Sequence, residues 1–132
     1  MIIGNHMKTK IKALGLFAMV FVGVLFFQSC DKDPSIMKIF VRSASNELVE
    51  GAKVIIIGDV NSNPETLPYV DTVVTNGSGF ASFNLDPYYD NAGKEHSVSY
   101  YDIIAIMEPK VATGYIRSRV NTTAVETVYL PN

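Results

Sequence analysis

From residue 36 onward apolar side chains recur at every second position, and that alternation constrains the fold more than any other feature. Met37, Ile39 and Val41 would share one face of a strand, with Lys38 and Arg42 on the other. Ala52, Val54 and Ile56 repeat the pattern, as do Ala81, Phe83 and Leu85. A period of two marks strands half-buried on a core, and no stretch after residue 35 sustains a helical period. The spacing predicts strands over 36–43, 52–58, 69–75, 80–85, 98–107, 114–120 and 123–130. Asn76-Gly77-Ser78-Gly79 supplies the residues of a tight turn. The segments 59–68 and 86–96, rich in Asn, Pro and Gly, read as loops. Seven short strands in about a hundred residues predict an all-β fold, a single antiparallel Greek-key β-sandwich of immunoglobulin-like architecture. With 48% apolar residues such a sandwich has material for one core. The single cysteine excludes a disulfide scaffold, and the absence of tryptophan limits the immunoglobulin likeness to architecture.

Two segments carry a family resemblance. Leu48-Val49-Glu50-Gly51-Ala52-Lys53-Val54, followed at a distance by Thr75-Asn76-Gly77-Ser78-Gly79-Phe80-Ala81-Ser82-Phe83, resembles the carboxypeptidase regulatory-like, or transthyretin-like, domain. The residues explain themselves without it: Gly51 permits a turn conformation that side chains disfavour, Ala52 and Val54 face a core, and Gly79 leads back into a strand. The resemblance implies the sandwich fold over residues 36–130 and says almost nothing of activity.

The first thirty residues read as an address. Lys8, Lys10 and Lys12 precede residues 13–27, fifteen positions without charge. A membrane-spanning helix needs about 20 such residues, whereas fifteen suit the core of a signal peptide. The start of translation is open between Met1 and Met7, and an uncleaved signal anchor is the competing reading. The run closes in Phe27-Gln28-Ser29-Cys30, which resembles the lipobox of bacterial lipoproteins. That resemblance implies cleavage between Ser29 and Cys30 and lipidation of Cys30. The expected organisation is a signal peptide over 1–29, a lipidated cysteine and tether over 30–35, and a β-sandwich over 36–132. Asp31-Lys32-Asp33-Pro34 resembles part of the tag that sends Bacteroidetes lipoproteins to the cell surface, leaving open which face of the outer membrane is used. Loss of the three leader lysines leaves eight basic residues against all thirteen acidic ones. An acidic mature chain gives no reason to expect nucleic acid, and lipid must do the anchoring.

Catalytic patterns are scarce. His96 is the one histidine beyond the leader and has no nucleophile elbow to serve, because Asn76-Gly77-Ser78-Gly79-Phe80 lacks the two flanking glycines. Zinc is not expected from one histidine and a lipidated cysteine, and no cofactor or other metal is expected either. Asp86, Asp90, Glu95 and Asp102 are close in sequence but read as solvated loop and edge carboxylates. Asp59, Asn61, Asn63 and Glu65 offer oxygens at alternate positions, yet Pro64 stands where a calcium loop needs glycine. That segment is expected to be a mobile connector that tolerates shortening. Tyr88, Tyr89 and Tyr100 read first as core and rim packing, and are the candidate stacking surfaces for sugar rings if one exists. Adjacent tyrosines on a strand point to opposite faces, so at most one of Tyr88 and Tyr89 would join a platform. Ile55 and Ile57 fall opposite the core residues of their strand and are read as covered by a loop, with an exposed docking patch as the alternative. Asp71-Thr72-Val73 resembles a short O-glycosylation sequence of Bacteroidetes envelope proteins.

The sequence thus predicts a non-catalytic envelope lipoprotein, bound to membrane lipid through Cys30 and working in adhesion or assembly. Its expected partner is an envelope protein or surface polysaccharide. The alternative is a carbohydrate-binding accessory of a glycan-uptake system.

Overall fold

The computed structural model describes residues 32–132, so the predicted signal peptide with Ser29 and Cys30 lies outside the described residues. Seven strands and one short helix follow in order. They are β1 (Ile36–Arg42), β2 (Lys53–Gly58), β3 (Val70–Val74), β4 (Phe80–Asn84), α1 (Asp86–Ala92), β5 (Val98–Met107), β6 (Lys110–Arg119) and β7 (Thr123–Tyr129). They form a three-stranded sheet in the order β4-β1-β7 and a four-stranded sheet in the order β3-β2-β5-β6. The chain crosses between sheets from β1 to β2, β3 to β4, β4 to β5 and β6 to β7. The fold is an all-β sandwich.

Alternation decides what lies between the sheets. Met37, Ile39 and Val41 of β1 face Val54 and Ile56 of β2 and Tyr101, Ile103 and Ala105 of β5 in one buried cluster. Phe83 and Leu85 complete it beside β1, and Leu85 closes the strand by donating its N–H to Ser35. The two turn glycines behave as their positions demand. Gly51 has φ +84° and Gly79 φ +74°, and a methyl on Gly79 would meet Leu48 Cβ at 2.8 Å.

Three features depart from the expected outline. β1 and β7 pair in parallel, from Ile36 opposite Thr123 to Arg42 opposite Tyr129, within an otherwise antiparallel arrangement. β6 begins at Lys110 rather than at 114, because Glu108-Pro109 makes a two-residue turn and Met107 pairs directly with Lys110. Within 86–96, expected to be a loop throughout, lies α1. Pro87 occupies its first turn, where the missing N–H costs nothing, and Asp86 sits where acids favour a helix start. Asp86 also accepts the Ser35 N–H at 2.8 Å, tying the entry of β1 to the helix.

Candidate binding surface

The residues of β2 that point away from the core determine the most distinctive surface of the domain. Register places Lys53 beside Ile106, Ile55 beside Ile104 and Ile57 beside Asp102 across the β2–β5 pair. On the flanks, Val74 and Val70 of β3 stand beside Lys53 and Ile57. Across β5, Val111 and Tyr115 of β6 stand beside Ile106 and Asp102. All these side chains share the outer face of the four-stranded sheet, because positions two apart on a strand point the same way. Val70 is 65% exposed, Val74 56%, Val111 49% and Tyr115 46%. Ile55 and Ile57, expected beneath a loop, are instead half-buried on this face among exposed neighbours. Scattered apolar surface is ordinary, but four isoleucines and three valines gather on this one sheet face, with Thr72 and Thr113 beside Ile55 and Ile104.

One end of the face is aromatic. Tyr100 and Tyr115 stack with ring centroids 6.0 Å apart and planes 23° from parallel. The Tyr115 hydroxyl donates to Asp59 Oδ2 at 2.7 Å. That bond, with smaller help from desolvation and from the charges of Asp59 and Asp102, pushes the phenol up to about 12. Arg117 lies directly across from Tyr100. Tyr115 was missed in the sequence, where it stands alone; only the β5–β6 register brings it to Tyr100.

The other two tyrosines predicted as stacking surfaces are inside. Tyr88 and Tyr89 lie on α1 and are 4% and 6% exposed. Adjacent residues on a helix are about 100° apart rather than opposed, so both can face the core. The Tyr88 hydroxyl accepts the Leu67 N–H at 3.0 Å, and the Tyr89 hydroxyl contacts Ser99 Oγ at 2.6 Å and Ser118 Oγ at 3.1 Å. Edge-to-face contacts with Tyr69 and Tyr101 occupy the Tyr88 ring. Neither ring offers a face to a sugar, so Tyr100 alone of the three remains at the surface, half-buried.

The segment from Asp59 to Pro68, expected to be a mobile connector, is tied down. Thr66 is fully buried, and its Oγ1 accepts the Tyr100 N–H at 2.8 Å. Ser62 Oγ donates to the Pro64 carbonyl and contacts Thr66 Oγ1, both at 2.9 Å. Asp59 Oδ1 accepts the Asn61 N–H at 3.0 Å. Both carboxylate oxygens of Asp59 are therefore engaged within the protein. Among the described residues no group of three or more His, Cys, Asp or Glu side chains is placed to hold a metal ion. Thr72 is exposed on edge strand β3, and Asp71 Oδ1 accepts its N–H.

Neither a protein-family model nor a curated protein sequence matches the chain. Among solved structures it is similar to the Bacillus anthracis TIE protein, at 17% identity and a TM-score of 0.49. That match covers 76% of this chain and 17% of the other. It is also similar to chlorocatechol 1,2-dioxygenase from Pseudomonas putida, at 15% identity and a TM-score of 0.46, covering 79% of this chain and 63% of that one. The chain spans less than two thirds of either protein, and likenesses at this level assign no activity.

Proposed function

We propose that the protein is a non-catalytic lipoprotein of the bacterial envelope, a carboxypeptidase regulatory-like binding or assembly module held at the membrane by lipidated Cys30. The observation that favours a binding role is the apolar outer face of the β3-β2-β5-β6 sheet, which the domain's own core does not use. The five residues from Asp31 to Ser35 reach at most about 18 Å when extended, so the tether would keep the sandwich close to the bilayer. Two or more acyl chains give stable attachment where one does not. The acidic charge of the mature chain argues against anionic lipid or nucleic acid as the docking partner.

Cys30→Ala tests the anchor. Fatty-acid labelling should vanish and the protein should leave the membrane fraction; unchanged labelling and fractionation would refute the lipoprotein reading. The Tyr100–Tyr115 stack, beside Asp59, Asp102 and Arg117, favours a second reading as a carbohydrate-binding accessory. Aromatic faces next to charged hydrogen-bonding groups suit a sugar ring. A glycan array that lights up for the wild type and goes dark for Tyr100→Ala would support it, and a flat array would dispose of it.

A further inference from the structure

We propose that the partner of the outer sheet face is a second copy of the same chain, docked face to face across a two-fold axis. This rests on the reading of that face as a contact surface. Six residues carry the argument: Lys53, Ile55 and Ile57 on β2, with Ile106, Ile104 and Asp102 opposite them on β5. The two strands are antiparallel, so a local two-fold axis normal to the sheet passes between Ile55 and Ile104. It exchanges Ile55 with Ile104 and Ile57 with Ile106. It also exchanges Lys53 with Asp102, so the apolar pattern is symmetric under this axis while the charge pattern changes sign.

A surface with that property is complementary to itself. When a second copy is laid over it about a two-fold axis in the plane between the sheets, one orientation of the axis sets each Lys53 over the other copy's Asp102. The isoleucines then meet isoleucines in the middle. Such a contact is isologous and closes on two chains.

The geometry of sheets supports the same orientation. Neighbouring strands are about 4.8 Å apart and alternate residues about 6.7 Å apart along a strand. Lys53 and Asp102 therefore lie on a line tilted about 20° from the strands. The two-fold axis that pairs them makes the strands of the two copies cross at twice that tilt, about 40°. The hand follows from the hydrogen bonding. The Asp59 N–H donates to Tyr100 O and the Gly58 N–H to Tyr69 O, so the outward residues of β2 hydrogen-bond towards β5. Seen from solvent with β2 running upward, β5 lies to its right, which makes the crossing about −40°. Aligned sheets of sandwiches pack at about −30°. The pairing of charges and the packing of twisted sheets thus select nearly the same dimer.

The size of the face sets the strength. Four strands of this length present on the order of 500 Å² of flat face per copy, below the roughly 800 Å² per partner of a standard interface. The dimer is accordingly weak in solution. Confinement of both chains to one bilayer raises their effective concentration and favours it.

A zero-length carbodiimide crosslink tests the contact in membranes holding a mixture of isotopically light and heavy full chains. The expected product is an amide between the Lys53 amine and the Asp102 carboxyl, formed with loss of water, as a peptide pair joining light to heavy chain. Lys53→Asp and Asp102→Lys should each abolish it and raise the dimer dissociation constant of the detergent-released chain about tenfold. The double exchange should bring that constant back to within about threefold of wild type. Absence of mixed-label product, or a dimer indifferent to the single reversals, would overturn the proposal. Ile104→Lys, checked for an unchanged circular dichroism spectrum, separates the two levels. If the wild type does not self-associate but Ile104→Lys loses other envelope crosslinks, the dimer falls and the contact-surface reading stands. If the variant changes nothing, both fall.

Discussion

Tyr89 and Tyr101 are both buried phenols on one side of the core, yet their hydroxyls are in opposite situations. The Tyr89 hydroxyl joins Ser99 and Ser118, whereas the Tyr101 hydroxyl, although Ser99 is near it, makes no hydrogen bond of good geometry among the described residues. Burial raises the pKa of Tyr101 well above the ordinary phenol range. Leaving a buried hydroxyl unpaired costs about 1–3 kcal/mol, so removing it is favourable or neutral. Tyr101→Phe should therefore hold or raise the denaturation midpoint. Tyr89→Phe, which strands two buried serines, should lower stability by about 1–2 kcal/mol. Chemical denaturation of the pair reads the contrast, and a larger loss in Tyr101→Phe would show that its hydroxyl is satisfied after all. None of this was legible in the sequence: Tyr88-Tyr89 and Tyr100-Tyr101 look alike, and only their helix and strand settings tell them apart.

Tyr115 offers a second test at this scale. A phenol ionises near 10 in an unfolded chain and, held by Asp59, at about 12 in the folded one. The folded state keeps a proton that the unfolded state releases between those values. Its contribution is fully present below about pH 10 and is lost as pH rises towards 12. Because burial also raises Tyr101, Tyr69 and Tyr88, an ultraviolet tyrosinate titration should lose only one of its high-pH components in Tyr115→Phe, and that component should move down towards 10 in Asp59→Asn. A transition unmoved by Asp59→Asn would mean that the bond is not what raises it.

Among the elements, the Asp59–Pro68 loop and α1 show where sequence reasoning stops. The loop's Asn, Ser and Pro residues are the usual furniture of mobile connectors. Its rigidity comes from Thr66, which is buried and holds the Tyr100 N–H 34 positions away. Nothing local to residues 59–68 announces that bond. Thr66→Val preserves shape but leaves a backbone donor without its acceptor, and should cost about 1–3 kcal/mol. In a domain of this size each kcal/mol lowers the melting temperature by about 4–8 °C. An unchanged melting temperature would restore the view of the loop as a loose connector. The helix is a different kind of miss. At seven residues it is too short for a 3.6-residue period to show, and Pro87 reads as loop until its place in the first turn is known. The strands were legible because a two-residue period declares itself within five residues, as Met37, Ile39 and Val41 do.

At the scale of the whole molecule, the sandwich was readable while the partnering of β1 was not. Alternation says which side of a strand is buried and leaves open which strand lies beside it. The parallel ladder of β1 with β7 is therefore a property of topology, sealed at one end by Ile36 N–H to Thr122 O and at the other by Leu130 N–H to Arg42 O. It has a mechanical meaning. Parallel neighbours put the entry of β1 at Ile36 and the exit of β7 at Tyr129 at opposite ends of the same ladder. A pull between the two ends of the domain loads every rung of that ladder at once, in shear, whereas a pull that peels β4 from β1 breaks its rungs one by one. Forced unfolding is governed by the unfolding barrier rather than by equilibrium stability. Stretched through residues 35 and 130, the domain should rupture at a severalfold higher force than when stretched through residues 35 and 85, which lie side by side at one end of the antiparallel β1–β4 ladder. Equal forces in a single-molecule experiment would show that the ladder is not the clamp. A sandwich tethered at its first strand and gripped beyond its last would carry tension along its strongest direction.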